Sequence, residues 1–162
     1  MRIAAPTAKF TFGHPAHFIA LGFGAGMSRV APGTVGTLVA FPIWWLIGAA
    51  YEPLLLLGLL ALLFAAGVWA CELTGRHLGI SDHGAMCWDE IVAFLLVLAI
   101  TPEGPWWQCA AFLLFRAFDV VKPPPIRRFE MRFKGGFGVM FDDILAAGYT
   151  LLVLALVKRL FL

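Results

Sequence analysis

The chain has 162 residues, of which 61% are hydrophobic and 14% are charged, and its mean hydropathy is +0.88. This length suits a single domain, residues 1–162, and the composition is far more apolar than that of water-soluble domains. The net charge of +2 is too small to indicate a nucleic-acid-binding protein. Three widely spaced cysteines without a Cys-x-x-Cys pair fit neither a disulfide framework nor a zinc site. We therefore predict a membrane protein.

Residues 1–37 are predicted to be mostly non-spanning, and five apolar segments are predicted to be helices that cross the bilayer. The segments cover residues 35–51, 54–71, 85–100, 106–121 and 142–157. The predicted fold class is therefore all-α, a polytopic bundle of transmembrane helices. Thr34 or Thr37 is predicted to cap the first of these helices, and Pro42 to kink it. A span takes about 20 residues, so the last three segments cross only if their polar ends lie in the interface.

If all five segments cross, the polar residues collect on one side of the membrane. Ten of the twelve Lys and Arg residues then fall on that side, and only Lys158 and Arg159 fall on the other. The positive-inside rule makes the polar side cytoplasmic. A single re-entrant segment would move the C-terminus to the cytoplasm, but the acidic residues could still cluster.

Three separate parts of the chain bring carboxylates to this side. From the third, fourth and fifth helices they are Asp89 with Glu90, Asp119, and Asp142 with Asp143. Five carboxylates without a cation would repel one another, and carboxylate oxygens are the ligands that Mg²⁺ selects. We therefore predict a magnesium site made of these five residues at the cytoplasmic face. A local alternative is that one aspartate of the last pair only caps its helix.

Basic residues accompany these carboxylates along the chain: Arg116, Lys122, Arg127, Arg128, Arg132 and Lys134. Guanidinium and ammonium groups suit an anionic headgroup, so an acidic cluster with a basic rim predicts phosphate chemistry on a lipid. Two simpler interpretations stay open. In the first, Arg116 forms only a local salt bridge with Asp119, three residues further along the helix. In the second, the basic residues from 127 to 134 serve only to fix the topology.

Two other groups of residues receive a structural interpretation. Three closely spaced glycines are better explained by close helix packing than by a nucleotide fingerprint, since no βαβ pattern surrounds them; they are Gly22, Gly24 and Gly26. Three histidines are interpreted as interfacial or core residues and not as ligands: His14, His17 and His77. For His83 a structural and a functional role are both left open.

Several motifs together resemble the phosphatidylglycerophosphatase A family. They are Pro32-Gly33-Thr34-x-Gly36, Asp82-His83-Gly84 followed by Trp88-Asp89-Glu90, Arg116-x-x-Asp119-x-x-Lys122-Pro123, Pro125-Ile126-Arg127, and Gly135-Gly136-x-Gly138-x-Met140-x-Asp142-Asp143-x-x-Ala146. The motifs occur in order over about residues 20–150, with apolar helices between them. Ala93 stands where the family pattern suggests glycine, a small-for-small change.

The resemblance implies a multi-pass, Mg²⁺-dependent phosphatase of the bacterial inner membrane. Its substrate would be phosphatidylglycerophosphate, which it would hydrolyse to phosphatidylglycerol, a precursor of cardiolipin. On this hypothesis the five carboxylates hold Mg²⁺, a water attacks phosphorus, and His83 acts as general acid or base. Groups expected to bind the phosphate are Arg29, Thr34, Arg116, Lys122 and Arg127. An aspartyl-phosphate route competes, but the Asp-x-Asp-x-Thr/Val signature is absent.

Rival functions are weighed on where the carboxylates lie. A proton-coupled small membrane transporter could use the same acidic cluster, but transport usually needs ionisable groups near the bilayer midplane, whereas these are predicted at helix ends. A lipid-synthesising transferase also uses Mg²⁺ and aspartates, but its Asp-Gly-x-x-Ala-Arg signature is absent. A non-catalytic scaffold would leave the acidic cluster without a purpose. The sequence leaves the oligomeric state open.

Overall fold

The computed structural model describes residues 6–47 and 52–161, which form eight α-helices and a 3₁₀ segment and contain no strand. The 3₁₀ segment is Gly22–Met27. The helices are α1 (Ala8–Phe12), α2 (Pro15–Ala20), α3 (Pro32–Ile47), α4 (Pro53–Leu78), α5 (Trp88–Ile100), α6 (Pro105–Val121), α7 (Ile126–Arg132) and α8 (Gly135–Phe161). The prediction of an all-α fold is confirmed for these residues. Part of the first predicted span, residues 48–51, lies outside them.

Two of these helices, α4 and α8, are long and apolar enough to cross a membrane, and α3 is a shorter apolar helix. At about 1.5 Å per residue the 26 residues of α4 extend over about 39 Å, more than the roughly 30 Å of a hydrocarbon core. The 13 residues of α5 and the 17 of α6 are shorter. Membrane association therefore has support from two helices, and the five-crossing bundle stays a prediction.

Helix α5 is the centre of the fold because nearly every side chain on it is apolar. Ten of its 13 residues are buried, starting from Trp88 at its first position. It packs between α3 and α8. On one side Phe94 meets Phe41 and Phe115, with ring centroids 5.3 and 5.4 Å apart. On the other side the indole nitrogen of Trp88 donates to the backbone oxygen of Leu63 in α4 at 3.1 Å.

Glycines at the start of α3 let this helix approach the N-terminus of α5 closely. A Cβ atom at Gly36 would collide with Cys87, and one at Gly33 would collide with the carboxylate of Glu90. The prediction that Thr34 or Thr37 caps this helix is wrong, because α3 already begins at Pro32 and both threonines lie inside it. Instead, the Thr37 hydroxyl donates a hydrogen bond to the Gly33 carbonyl at 2.9 Å.

Helix α8 begins earlier than the sequence pattern predicts. It starts at Gly135, so Asp142 and Asp143 lie about two turns inside it and neither one caps it. The expectation that one of the pair is a cap, and that the helix opens at residue 142, is therefore wrong. A residue from α4 satisfies the helix start instead, since the Gly136 amide donates to the Glu72 carboxylate at 2.8 Å.

The N-terminal segment packs against α4 and against the loop that precedes α5. Gly26 lies so close to the Ala85 carbonyl that a Cβ atom would clash with it, and Gly22 has a φ of +55° beside the Cys87 thiol. The Cys87 amide donates to the Ala20 carbonyl at 3.0 Å. The interpretation of these glycines as packing residues is confirmed at Gly22 and Gly26.

Candidate functional site

A pocket of about 140 Å³ lies where α5, α6 and α8 meet, and it contains all five predicted carboxylates. It is lined by Asp82, Gly84, Met86, Asp89, Glu90, Asp119, Lys122, Val139, Asp142 and Asp143. Three distant stretches of sequence therefore meet as predicted. A smaller cavity of about 50 Å³ shares Asp82 and Asp142 with it and extends to Lys134, so a cationic side chain lies next to the pocket.

The innermost carboxylates have the geometry of a cation site. One oxygen from each of Asp89, Glu90 and Asp143 lies within 4.8 Å of the other two, and the three residues are only 8%, 9% and 3% exposed. Each also has one buried oxygen without a hydrogen-bond partner. Burying such oxygens unsatisfied is costly. A hard divalent ion ligated by oxygen, such as Mg²⁺, fits this donor set and removes the cost. The N-terminus of α5 also favours negative charge at Asp89 and Glu90.

Arg116 links two of the acidic residues to α3. Its Nη1 lies 2.7 Å from Asp119 Oδ2 and 3.5 Å from Glu90 Oε1. It also donates to the Thr37 hydroxyl at 3.4 Å. The local salt bridge with Asp119 is therefore present, but the same guanidinium reaches the metal-site candidate Glu90 as well. Sequence reasoning missed the contact of Thr37 with Arg116. Thr37 lies one turn after Gly33, so these two residues share one face of α3.

Lys122 is a cationic residue that lines the pocket itself. Its Nζ lies 3.5 Å from Asp142 Oδ2. Its backbone adopts the left-handed conformation at the C-terminus of α6, with a φ of 44° and a ψ of 64°. Non-glycine residues in this region are uncommon and are found at constrained sites. The chain turns sharply here, which directs the side chain of Lys122 toward α8.

His83 is buried beside the pocket without lining it. Its Nδ1 accepts a hydrogen bond from the Ala85 amide at 3.1 Å, which leaves the proton of the neutral ring on Nε2. Burial lowers the pKa of His83, while the nearby Asp82 opposes this by raising it. The Nε2–H of the neutral ring can donate a hydrogen bond, and transfer of a proton to a leaving group requires the imidazolium form. The general acid or base role of His83 stays a prediction.

Four of the residues predicted to bind phosphate do not line the pocket: Arg29, Thr34, Arg116 and Arg127. Of these, Arg116 contacts the lining carboxylates of Glu90 and Asp119. Arg29 is exposed just before α3, Arg127 is exposed on α7, and Thr34 is half-buried. Their proposed roles therefore stay predictions. The residue missed most completely by sequence reasoning is Glu72, because nothing in its local pattern indicates a contact with Gly136, 64 residues later.

Comparison with known proteins identifies the family. A model of phosphatidylglycerophosphatase A matches residues 18–158. The chain is 41% identical over 149 residues to phosphatidylglycerophosphatase A of Haemophilus influenzae, covering 91% of each protein. It is 39% identical over 140 residues to phosphatidylglycerophosphatase A of Escherichia coli, covering 85% of this chain and 80% of the relative.

A third relative, from Bacteroides thetaiotaomicron, carries the provisional name phosphatidylinositol-3-phosphatase. It is 39% identical over 147 residues and the match covers 86% of this chain and 91% of the relative. No solved structure matches the chain. The family model covers the pocket and all of the helices that build it, and the two first relatives share most of their length with this chain. The chain belongs to the phosphatidylglycerophosphatase A family.

Proposed function

We propose that this protein hydrolyses phosphatidylglycerophosphate to phosphatidylglycerol and phosphate, with Mg²⁺ as cofactor. The observation that carries the proposal is the group formed by Asp89, Glu90 and Asp143. Each has one buried oxygen without a hydrogen-bond partner, and each offers one oxygen within 4.8 Å of the other two. Two cations, Arg116 and Lys122, stand beside it. This combination suits a phosphate monoester, whose charge needs both a metal and fixed cations. Family membership supports the same substrate.

The metal would be held by Asp89, Glu90 and Asp143, with Asp119 and Asp142 next to them in the pocket. Bound there, Mg²⁺ would supply charge neutralisation for the phosphate and Lewis acidity for the attacking water. Lys122, which lines the pocket, and Arg116, which contacts the lining carboxylates Glu90 and Asp119, would orient the phosphate oxygens. His83 would act as general acid or base: its imidazolium form would give a proton to the leaving alkoxide, or its neutral form would take one from the attacking water.

The proposed location is the bacterial inner membrane, with several helices crossing it and the pocket facing the cytoplasm. Two long apolar helices support membrane insertion. The orientation rests on the ten of twelve Lys and Arg residues that the five-crossing topology places on the pocket side. The proposed partners are the lipid substrate and the bilayer, without nucleic acid.

Phosphate release by purified protein in detergent micelles tests the proposal. We expect rapid release from phosphatidylglycerophosphate with Mg²⁺, none with excess chelator, and recovery when Mg²⁺ is restored. Phosphatidylinositol-3-phosphate and phosphatidic acid, tested in parallel, show how far the site discriminates among phosphorylated lipids. An inactive preparation that retains its fold and binds Mg²⁺, or uptake into proteoliposomes without hydrolysis, would count against the phosphatase and favour a transporter.

A further inference from the structure

We propose that Glu72 is a positioning residue for the metal site, although it lies outside the pocket. It fixes α8 against α4 and so sets the distance of Asp143 from the carboxylates on α5. The inference rests on the magnesium site of the proposed function. It concerns a residue that neither the acidic pocket nor the sequence motifs include.

Both carboxylate oxygens of Glu72 are occupied in the structure. Oε2 accepts a hydrogen bond from the Gly136 amide at 2.8 Å, and Oε1 accepts one from Arg76 Nε at 2.9 Å. The first amide groups of a helix have no partner within the helix, and their positive partial charge attracts a carboxylate. Glu72 therefore acts as a cap supplied by a neighbouring helix. Arg76, one turn further along α4, pairs with the other oxygen, but its side chain is 73% exposed, so this ion pair contributes little.

Glycines at the start of α8 let its backbone come close to α4. Gly135 has a φ of +77°, which disfavours any residue with a side chain. A Cβ atom at Gly136 would collide with the Val68 carbonyl, and one at Gly138 would collide with the Phe133 carbonyl. The glycines thus allow the start of α8 to touch the backbone of α4. This close approach brings the Gly136 amide within hydrogen-bond distance of Glu72.

Helix α4 also holds α5, which makes it a common frame for both halves of the metal site. Trp88 directly precedes Asp89, and its indole donates to the Leu63 carbonyl of α4 at 3.1 Å. Asp143 lies seven residues after Gly136, about 10 Å along α8 at 1.5 Å per residue. Helices α5 and α8 also pack on each other. Glu72 and Leu63 therefore contribute to the separation of Asp143 from Asp89 by where they hold the two helices on α4.

A small shift of α8 would be enough to weaken the site. Metal–ligand distances tolerate only about 0.2 Å, and the orienting partners of ligands typically change metal affinity 10–100-fold when lost. Helix α8 would remain packed on α4 without Glu72, because Gly67 contacts Met140 and Phe64 contacts Phe137. Loss of Glu72 should therefore alter the position of Asp143 and leave the fold intact.

The test measures Mg²⁺ binding to purified variants by calorimetry and by the rise of Tm that Mg²⁺ produces. We expect Glu72→Ala to bind Mg²⁺ about 10-fold more weakly and to need correspondingly more Mg²⁺ for half-maximal phosphate release. Glu72→Gln should stay within about threefold of wild type, because its amide oxygen still accepts from Gly136. Arg76→Gln is the matched control, since it removes the other partner of Glu72 and leaves that hydrogen bond in place.

Wild-type Mg²⁺ affinity in Glu72→Ala would overturn the inference. A loss of Mg²⁺ affinity in Glu72→Gln or in Arg76→Gln as large as that in Glu72→Ala would also overturn it. A purely structural role would lower the Tm measured in chelator without changing the Mg²⁺ affinity. Should Glu72→Ala not fold, Glu72→Asp decides instead, because its shorter side chain must draw α8 out of register or lose the bond. Mg²⁺ binding tests Glu72 even if phosphatidylglycerophosphate is not hydrolysed, so the two proposals fail separately.

Discussion

Two clusters of titratable side chains, one of acids and one of histidines, are built in opposite ways. In the histidine cluster, His17 Nδ1 lies 3.0 Å from the Phe10 carbonyl and His17 Nε2 lies 2.8 Å from His77 Nδ1. The Phe10 ring stacks on the His17 ring at 4.0 Å. In the acidic cluster, Asp89 and Asp143 have oxygens that find no such partner.

The difference separates polar groups that hold a fold together from polar groups kept available for a ligand. A carbonyl only accepts, so His17 Nδ1 must donate to Phe10, and His17 Nε2 must then accept from His77. Both nitrogens of the buried ring are satisfied, as is normal for a stabilising buried polar group. The carboxylates instead face one another and need a cation. Four predictions test this contrast, in order of decreasing effect.

Removal of one inner carboxylate should nearly abolish activity. We expect Asp143→Asn to lower kcat/KM for phosphatidylglycerophosphate about 1,000-fold, because an amide cannot replace a charged ligand of a catalytic ion. Initial rates of phosphate release at saturating Mg²⁺ provide the measurement. Glu103→Gln, in an exposed turn, is the control and should keep wild-type rates. Near-normal rates in Asp143→Asn would remove this residue from the metal site.

The same kind of change should stabilise the protein when no metal is present. Asp89→Asn in chelator is expected to raise the free energy of unfolding by about 1–3 kcal/mol, since neutralising a buried, uncompensated charge relieves repulsion. Unfolding followed in detergent with and without Mg²⁺ checks this. Mg²⁺ should raise the Tm of the wild type and have little effect on the variant. A variant less stable than wild type in chelator would show that the Asp89 carboxylate stabilises the fold even without a metal.

Changes in the histidine cluster should lower stability and leave activity nearly unchanged. His77→Ala is expected to lower the free energy of unfolding by about 1 kcal/mol, the usual worth of one hydrogen bond, and to leave kcat within about twofold of wild type. Parallel unfolding and phosphate-release measurements on one preparation suffice. A large loss of activity at unchanged stability would assign the cluster a role in the reaction.

Acid should weaken the histidine contacts by a modest amount. Burial lowers the pKa of His17 below its ordinary value of 6.5, with a smaller contribution in the same direction from His77, although the hydrogen bond to Phe10 opposes the shift. The unfolded chain therefore binds the proton more readily. The stability contributed by neutral His17 is present above pH 6.5 and falls as the pH decreases through that value.

The slope is at most about 1.4 kcal/mol per pH unit for one histidine. His83, whose pKa burial also lowers, changes in the same direction. Unfolding measured between pH 7.5 and 5.5 for wild type and His17→Gln isolates the contribution of His17, because the variant should lose less stability over this range. Equal losses in the two proteins would show that His17 does not titrate with folding.

The sequence predicted the acidic pocket well because its main determinants are local. Apolar runs fix where helices form, and Asp89 with Glu90 at the start of such a run had to lie in the first turn of α5. The meeting of this pair with Asp119 and Asp143 followed from counting helices between them. These inferences needed only periodicity and the cost of burying charge.

The parts that could not be predicted depend on contacts between helices. The early start of α8 is stabilised by Glu72 and by glycines that fit the backbone of α4, and local propensity disfavours a helix that begins with several glycines. Thr37 reaches Arg116 only because Gly33 brings α3 against α5. A single sequence gives no information on which distant backbone a glycine will touch.

The length of α4 has a consequence for the depth of the reaction. This helix exceeds the hydrocarbon thickness by about 9 Å, or six residues, and the polar end from Glu72 onward is the part suited to stand in water. Asp143 would then lie about 10 Å below the level of Glu72. On the proposed placement of α4 across the bilayer, a lipid would have to sink beneath its neighbours to present its phosphate, or the surrounding leaflet would have to thin. Turnover should accordingly be faster in bilayers of short acyl chains than in thick ones.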